Sequence, residues 1–205
     1  TTNGGTVAGS LRVPAQNPDF APFIQRIKDA KPDAVFVWLP PGEATINFIK
    51  EFDQRGLKEA GITMLGTGDL TDELTIRQTG DAGLGVVTTG HYAMAHDSDL
   101  NREFVEAYLA DYPDDPWPNF LSVSAYDGMA ALYYALEKTG GDASGPAIAE
   151  ALKGATIESP RGPITIDPEN RDIVQTIYVR KVEAVDGNLA NVEFFEFPES
   201  RDMTP

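Results

Sequence analysis

The chain contains no cysteine, so it can form no disulfide, offers no thiolate nucleophile and cannot build a thiolate zinc site. Histidine is almost as scarce: His91 and His96 lie in an expected loop without the His-Glu-x-x-His pattern, and no metal is expected. Basic residues are few, with 16 Lys and Arg against 32 Asp and Glu and a formal net charge of −16. Such a surface repels phosphate backbones, so nucleic acid is excluded as a partner. The acidic residues are spread along the chain, which argues against an acidic tail and for dispersal in water as their plain role. No hydrophobic run approaches the roughly 20 residues that cross a bilayer as a helix. No serine sits in a Gly-x-Ser-x-Gly elbow, and no cofactor is expected.

What is present is a rhythm that changes near residue 119. With 205 residues, 41% of them hydrophobic, the chain can bury a sizeable core. Strand candidates at 6–13, 34–39, 62–66 and 85–89 start about 25 residues apart, room for one crossover helix each, so parallel strands are predicted. The segments between them have helical spacing. Phe20, Phe23, Ile24 and Ile27 share a face after a candidate cap at Asp19. Ala44, Phe48, Ile49 and Phe52 form a second stripe closed by Gly56, and Leu100, Phe104, Val105, Tyr108, Leu109 and Tyr112 form a third opened by Ser98. The first half is therefore an open α/β sheet. From Asn119 to Lys138 a helix apolar almost all round is expected, which needs cover on more than one side. A shorter helix ending at Gly154 and a strand-rich tail at 173–182 and 192–197 follow.

In an open parallel sheet, small molecules bind beyond the carboxyl ends of the strands. Three loops qualify. In the first, Trp38, Pro40, Pro41 and Gly42 either line a site or make an ordinary strand-to-helix connection, and Trp38 points into a cleft or onto core. In the second, Thr67 stands between Gly66 and Gly68, and Asp69 either accepts a hydrogen bond from a ligand cation or, like Thr71, caps the helix beginning near Asp72. In the third, Tyr92 is placed to stack on a ligand ring, with His91 beside it. A dinucleotide site is not expected, since the Gly-x-Gly lacks its third glycine.

Several segments together carry a resemblance: Gly4-Gly5-Thr6-Val7-Ala8-Gly9-Ser10-Leu11-Arg12-Val13-Pro14 then Asp19-Phe20; Lys31-Pro32-Asp33-Ala34-Val35-Phe36-Val37; Gly66-Thr67-Gly68-Asp69-Leu70-Thr71-Asp72; Tyr126-Asp127-Gly128; Ser159-Pro160-Arg161-Gly162-Pro163-Ile164 with Asp167-Pro168; and Asp186-Gly187. With these the chain resembles the rear portion of substrate-binding proteins of branched-chain amino acid type ABC transporters, which have the type I periplasmic binding fold. The resemblance implies a two-lobed protein, with 1–117 most of the second lobe, 118–171 a returning segment of the first, and 172–205 a hinge crossing and the last strands of the second. It also implies an upstream portion, including a removed signal peptide and most of the first lobe. The implied role is non-enzymatic: a small solute is captured in an interlobe cleft in the periplasm, or at another extracytoplasmic face, and delivered to a membrane permease. By position, Asp69 is expected to hold a ligand ammonium, the Pro40–Pro41–Gly42 loop and Tyr92 to form one wall, and Tyr126 to reach in from the other side. Amino acids, amides and aromatic carboxylates are the implied ligand classes. A ligand-sensing regulatory receptor of the same fold and a flavodoxin-like enzyme are the alternatives.

Overall fold

A computed structural model describes residues 4–14, 18–114 and 117–202. Its contacts divide the chain into two compact units, Thr1–Thr88 with Lys181–Ala190, and Thr89–Arg180 with Asn191–Pro205.

The first unit is built on β1 (Ala34–Val37) and β2 (Thr63–Thr67), which pair in parallel with Phe36 opposite Leu65 and Val37 opposite Gly66. The crossover between them is α2 (Glu43–Gln54), preceded in the chain by α1 (Ala21–Ala30) and followed by α3 (Glu73–Thr79). The helices form where the apolar stripes predict them, because those stripes meet in one core. Phe20, Ile24, Phe48, Ile49, Phe52, Leu57, Leu70 and Ile76 are all at most 4% exposed there. Phe20 and Phe48 meet edge to face at 5.2 Å, an arrangement that favours aromatic pairs. Gly56 has φ +72 just past the end of α2, as its place in the sequence demands. Asp19 lies one residue further out than a cap: Phe20 holds that position, while the Asp19 carboxylate accepts the Ala21 N–H at 3.0 Å.

One expectation fails in this unit. No strand forms at 6–13, and Val7 is 77% exposed. A strand persists only as part of a ladder, so local β propensity alone does not create one. Burial alternates along β1 and the residues after it: Val35, Val37 and Leu39 turn inward while Phe36 and Trp38 are about two-thirds exposed.

The second unit holds α4 (Asp99–Asp111), α5 (Phe120–Thr139) and α6 (Gly145–Ala151). Two antiparallel pairings follow, of β4 (Thr156–Ile157) with β5 (Ile164–Ile166), and of β5 with the start of β6 (Ile173–Val185). β6 also pairs with β7 (Asn188–Ser200), so the tail is a longer hairpin than predicted. The boundary between units falls within β3 (Val87–Gly90), β6 and β7. Helix starts are set locally. Ser98 Oγ accepts the Asn101 N–H, and Asn119 makes a capping box, its Oδ1 accepting from Leu121 and Ser122 while its own N–H donates to Ser122 Oγ. On α5 a stripe of Val123, Asp127 and Ala135 is buried, leaving Leu121, Met129 and Tyr133 exposed on an otherwise apolar helix. Among the described residues no helix is long and apolar enough to cross a membrane.

Candidate functional site

Seven of the expected site residues lie in the first unit, at the carboxyl ends of β1 and β2. After Val37 the chain continues through Trp38, Leu39, Pro40 and Pro41 to Gly42, whose φ of +129 starts α2 in a conformation only glycine holds without strain. The turn is pinned from below by buried Thr45, whose hydroxyl donates to the Pro40 carbonyl at 2.7 Å. Trp38, directly after β1, is exposed like Phe36 two residues before it. A β-carbon at Gly66 would come within 2.5 Å of Leu70, which is why the penultimate residue of β2 is a glycine.

Gly68–Thr71 forms a single 3₁₀ turn, and the structure settles which residue caps the next helix. It is Asp72, whose Oδ1 accepts the Leu74 N–H at 3.0 Å. Thr71 is buried against Thr88, the hydroxyls 2.8 Å apart. Asp69 is therefore no cap: it is half-buried, and the Thr67 hydroxyl donates to its Oδ2 at 3.1 Å. A carboxylate has roughly four lone-pair sites, so this one contact leaves it able to accept more.

The other three expected residues lie in the second unit. His91 is half-buried with its ring edge-on to Phe120 at 6.0 Å. Burial, helped by the nearby Arg161 and Arg180 charges and opposed by Asp127, lowers its pKa to about 4, so the imidazole is neutral at physiological pH. Tyr92, expected to face a ligand, is only 1% exposed, and its hydroxyl donates to Asn101 Oδ1 at 3.1 Å. The Asn101 amide in turn donates to the Met94 and His96 carbonyls, fixing the loop after β3. Tyr126 is 39% exposed and meets Phe104 edge to face at 5.3 Å. A cavity of about 370 Å³ in this unit, between the loop at His96 and the Arg102 side of α4, is lined by none of the expected residues.

Sequence reasoning missed a buried ion pair. Arg161 Nε donates to Asp127 Oδ2 at 2.7 Å, with both side chains at most 5% exposed. The guanidinium also donates to Gln175, and the Arg161 carbonyl accepts the Tyr178 hydroxyl at 2.9 Å. The signal was an acid in the middle of an apolar helix, since a buried carboxylate needs a cation. His96, considered only as a metal ligand, instead meets Glu193 at 2.8 Å. Among the described residues no group of three or more potential ligands could hold a metal.

Parallel strands with a crossover helix, an antiparallel tail and open strand-end loops define a partial α/β fold of the type I periplasmic binding class. The model of the family described as periplasmic binding protein matches residues 1–188. The Leu/Ile/Val-binding protein homolog 6 of Brucella melitensis is 44% identical over 203 residues, which is 98% of this chain and 52% of that protein. An ABC transporter solute-binding protein from Rhodopseudomonas palustris BisB5, solved with 3,4-dihydroxybenzoic acid, matches at 51% identity and TM-score 0.91 over 98% of this chain and 55% of its own. A second, from R. palustris HaA2 with p-hydroxybenzoic acid, matches at 39% identity and TM-score 0.91, with the same coverage of 98% and 55%. The chain belongs to the periplasmic binding protein family, a family of binding proteins and not of enzymes. It spans about half the length of the relatives it matches.

Proposed function

We propose that the whole protein carrying this chain is the solute-binding component of an ABC importer. It captures a small molecule in the periplasm, or at another extracytoplasmic face, and delivers it to a membrane permease without altering it. Ligand binding favours a closed form because the ligand makes its full set of contacts only there. In this reading residues 1–117 form most of the second lobe, 118–171 return to the first, and 172–205 supply the hinge crossing and last strands. Trp38, Pro40, Pro41, Gly42, Thr67, Gly68 and Asp69 are the proposed contacts of one lobe. His91 and Tyr126 are further candidates, while Tyr92 supports its loop through Asn101.

The observation that carries this proposal is the carboxylate of Asp69, half-buried at a strand end and not consumed as a helix cap. An aromatic carboxylate is the favoured ligand class. Two-thirds of Trp38 is exposed directly after β1, and both similar Rhodopseudomonas proteins were solved with hydroxylated benzoic acids. An amino acid is the second reading, favoured by the negative charge of Asp69 and by the name of the Brucella relative.

Thermal-shift screening of the whole protein against amino acids, amides and aromatic acids tests the proposal. A ligand at 100 times its Kd adds about 2.7 kcal/mol of stability, which raises the melting temperature by several degrees. A rise with at least one aromatic acid is expected. No rise with any member of the three classes would contradict a binding role.

A further inference from the structure

We propose that His91 makes the second unit acid-sensitive: a proton taken up by its imidazole, which packs among the charges of Arg161 and Arg180, drives the Gly90–Tyr92 segment off Arg180 and loosens the loop that follows β3. The geometry of that segment carries the proposal. A β-carbon at Gly90 would stand 2.8 Å from one Arg180 guanidinium nitrogen and 2.9 Å from the guanidinium carbon, so the chain touches the guanidinium here and only glycine allows it. Two residues on, Arg180 Nη1 donates to the Tyr92 carbonyl. His91 therefore sits on a short stretch of chain held on both sides by the same cation.

Three elements bring charged groups to the imidazole. Arg180 comes from β6, Arg161 from the turn between β4 and β5, and Asp127 from α5. The first residue of α5, Phe120, adds its ring edge-on at 6.0 Å and a hydrogen bond from its backbone. Burial and the two guanidiniums oppose a charge on His91, while Asp127 and the Phe120 bond favour one. Asp127 is already engaged with Arg161 Nε at 2.7 Å. The opposing groups prevail, and they lower the pKa of His91 from the ordinary 6.5 to about 4.

An opened segment, with its imidazole in water, binds the proton at a higher pH than the closed one does. The stability that the neutral imidazole lends the closed form is therefore whole above 6.5 and is lost as pH falls from 6.5 toward 4, by up to about tenfold in the closed-to-open ratio per pH unit. Relief does not require the whole unit to unfold. Moving His91 into water breaks the contacts of Gly90 and Tyr92 with Arg180. The Tyr92 hydroxyl and the Met94 and His96 carbonyls are all held by Asn101, so residues 90–96 open together. This loop directly follows the point in β3 where the chain passes from one unit to the other.

Amide hydrogen exchange of the whole protein without ligand, read by mass spectrometry and corrected for the intrinsic pH dependence of exchange, tests this. Protection of residues 90–96 in the wild type should fall about tenfold between about pH 6.5 and about pH 5, a range above the titration of ordinary carboxylates. His91→Gln, which keeps a hydrogen-bonding group but takes up no proton, should stay level over the same range. Site-resolved exchange of the imidazole C2 proton in the wild type should give His91 a titration midpoint of about 4. That midpoint and the wild-type protection curve decide if His91→Gln does not fold. Wild-type protection that stays level, an equal fall in His91→Gln, or a midpoint at the ordinary 6.5 overturns the proposal.

Discussion

Replacing Asp127 with alanine should lower the unfolding free energy of the second unit by about 3–5 kcal/mol. Asp127 neutralises Arg161 at 2.7 Å in a place where neither side chain is more than 5% exposed. Removing the carboxylate leaves a guanidinium charge out of water, with the neutral Gln175 as its side-chain acceptor among the described residues. The same arginine anchors the tail, since its carbonyl accepts the hydroxyl of Tyr178 on β6. Desolvation dominates, so changing both partners to apolar residues, Asp127→Leu with Arg161→Met, should be much milder than the single change. Denaturant unfolding of the three proteins decides: a single-mutant loss below about 1 kcal/mol would show that the pair is not desolvated as described.

Phe52→Ala is expected to be as severe, about 3–5 kcal/mol, for a different reason. The ring is 0% exposed in the core of the first unit and lies 6.2 Å from Phe48. Truncation leaves a cavity bounded by the rigid stack of α2 on the sheet, which can close only in part. Its backbone also helps close the helix: the Phe52 carbonyl accepts the Leu57 N–H at 3.2 Å beyond Gly56. That backbone bond survives the substitution, so the loss should be that of packing alone. The denaturation midpoint should fall with little change in slope. A loss under about 1 kcal/mol would mean that the site collapses freely, against the close packing seen.

Features set by neighbours in the chain were legible from the sequence. Ser98, Asn119 and Gly56 mark helix ends because capping and left-handed turns are decided within a few residues. The apolar stripes of α1 and α2 were equally clear, and they placed the core of the first unit. What depends on distant partners was not legible. Residues 6–13 have strand composition but no ladder, and Asp127 meets a partner 34 positions away. The direction of Trp38 could not be deduced from the sequence, and the structure leaves it exposed directly after a strand whose burial alternates. At the candidate site the ambiguity was chemical: Asp69 and Thr71 were the candidate caps in sequence, and the Leu74 N–H bond gives that place to Asp72 instead. Tyr92 read as a ligand contact because a tyrosine at a strand end is often one, yet Asn101, nine positions on, takes its hydroxyl inward.

The central proposal is that the whole protein carrying this chain holds a small aromatic acid and returns it unchanged. Native mass spectrometry of the whole protein incubated with 4-hydroxybenzoate tests it most directly. The account predicts a complex of one protein and one ligand, and denaturation should release a molecule of the same mass as the one supplied. A released product of different mass, or no complex at ligand concentrations well above micromolar, would contradict it.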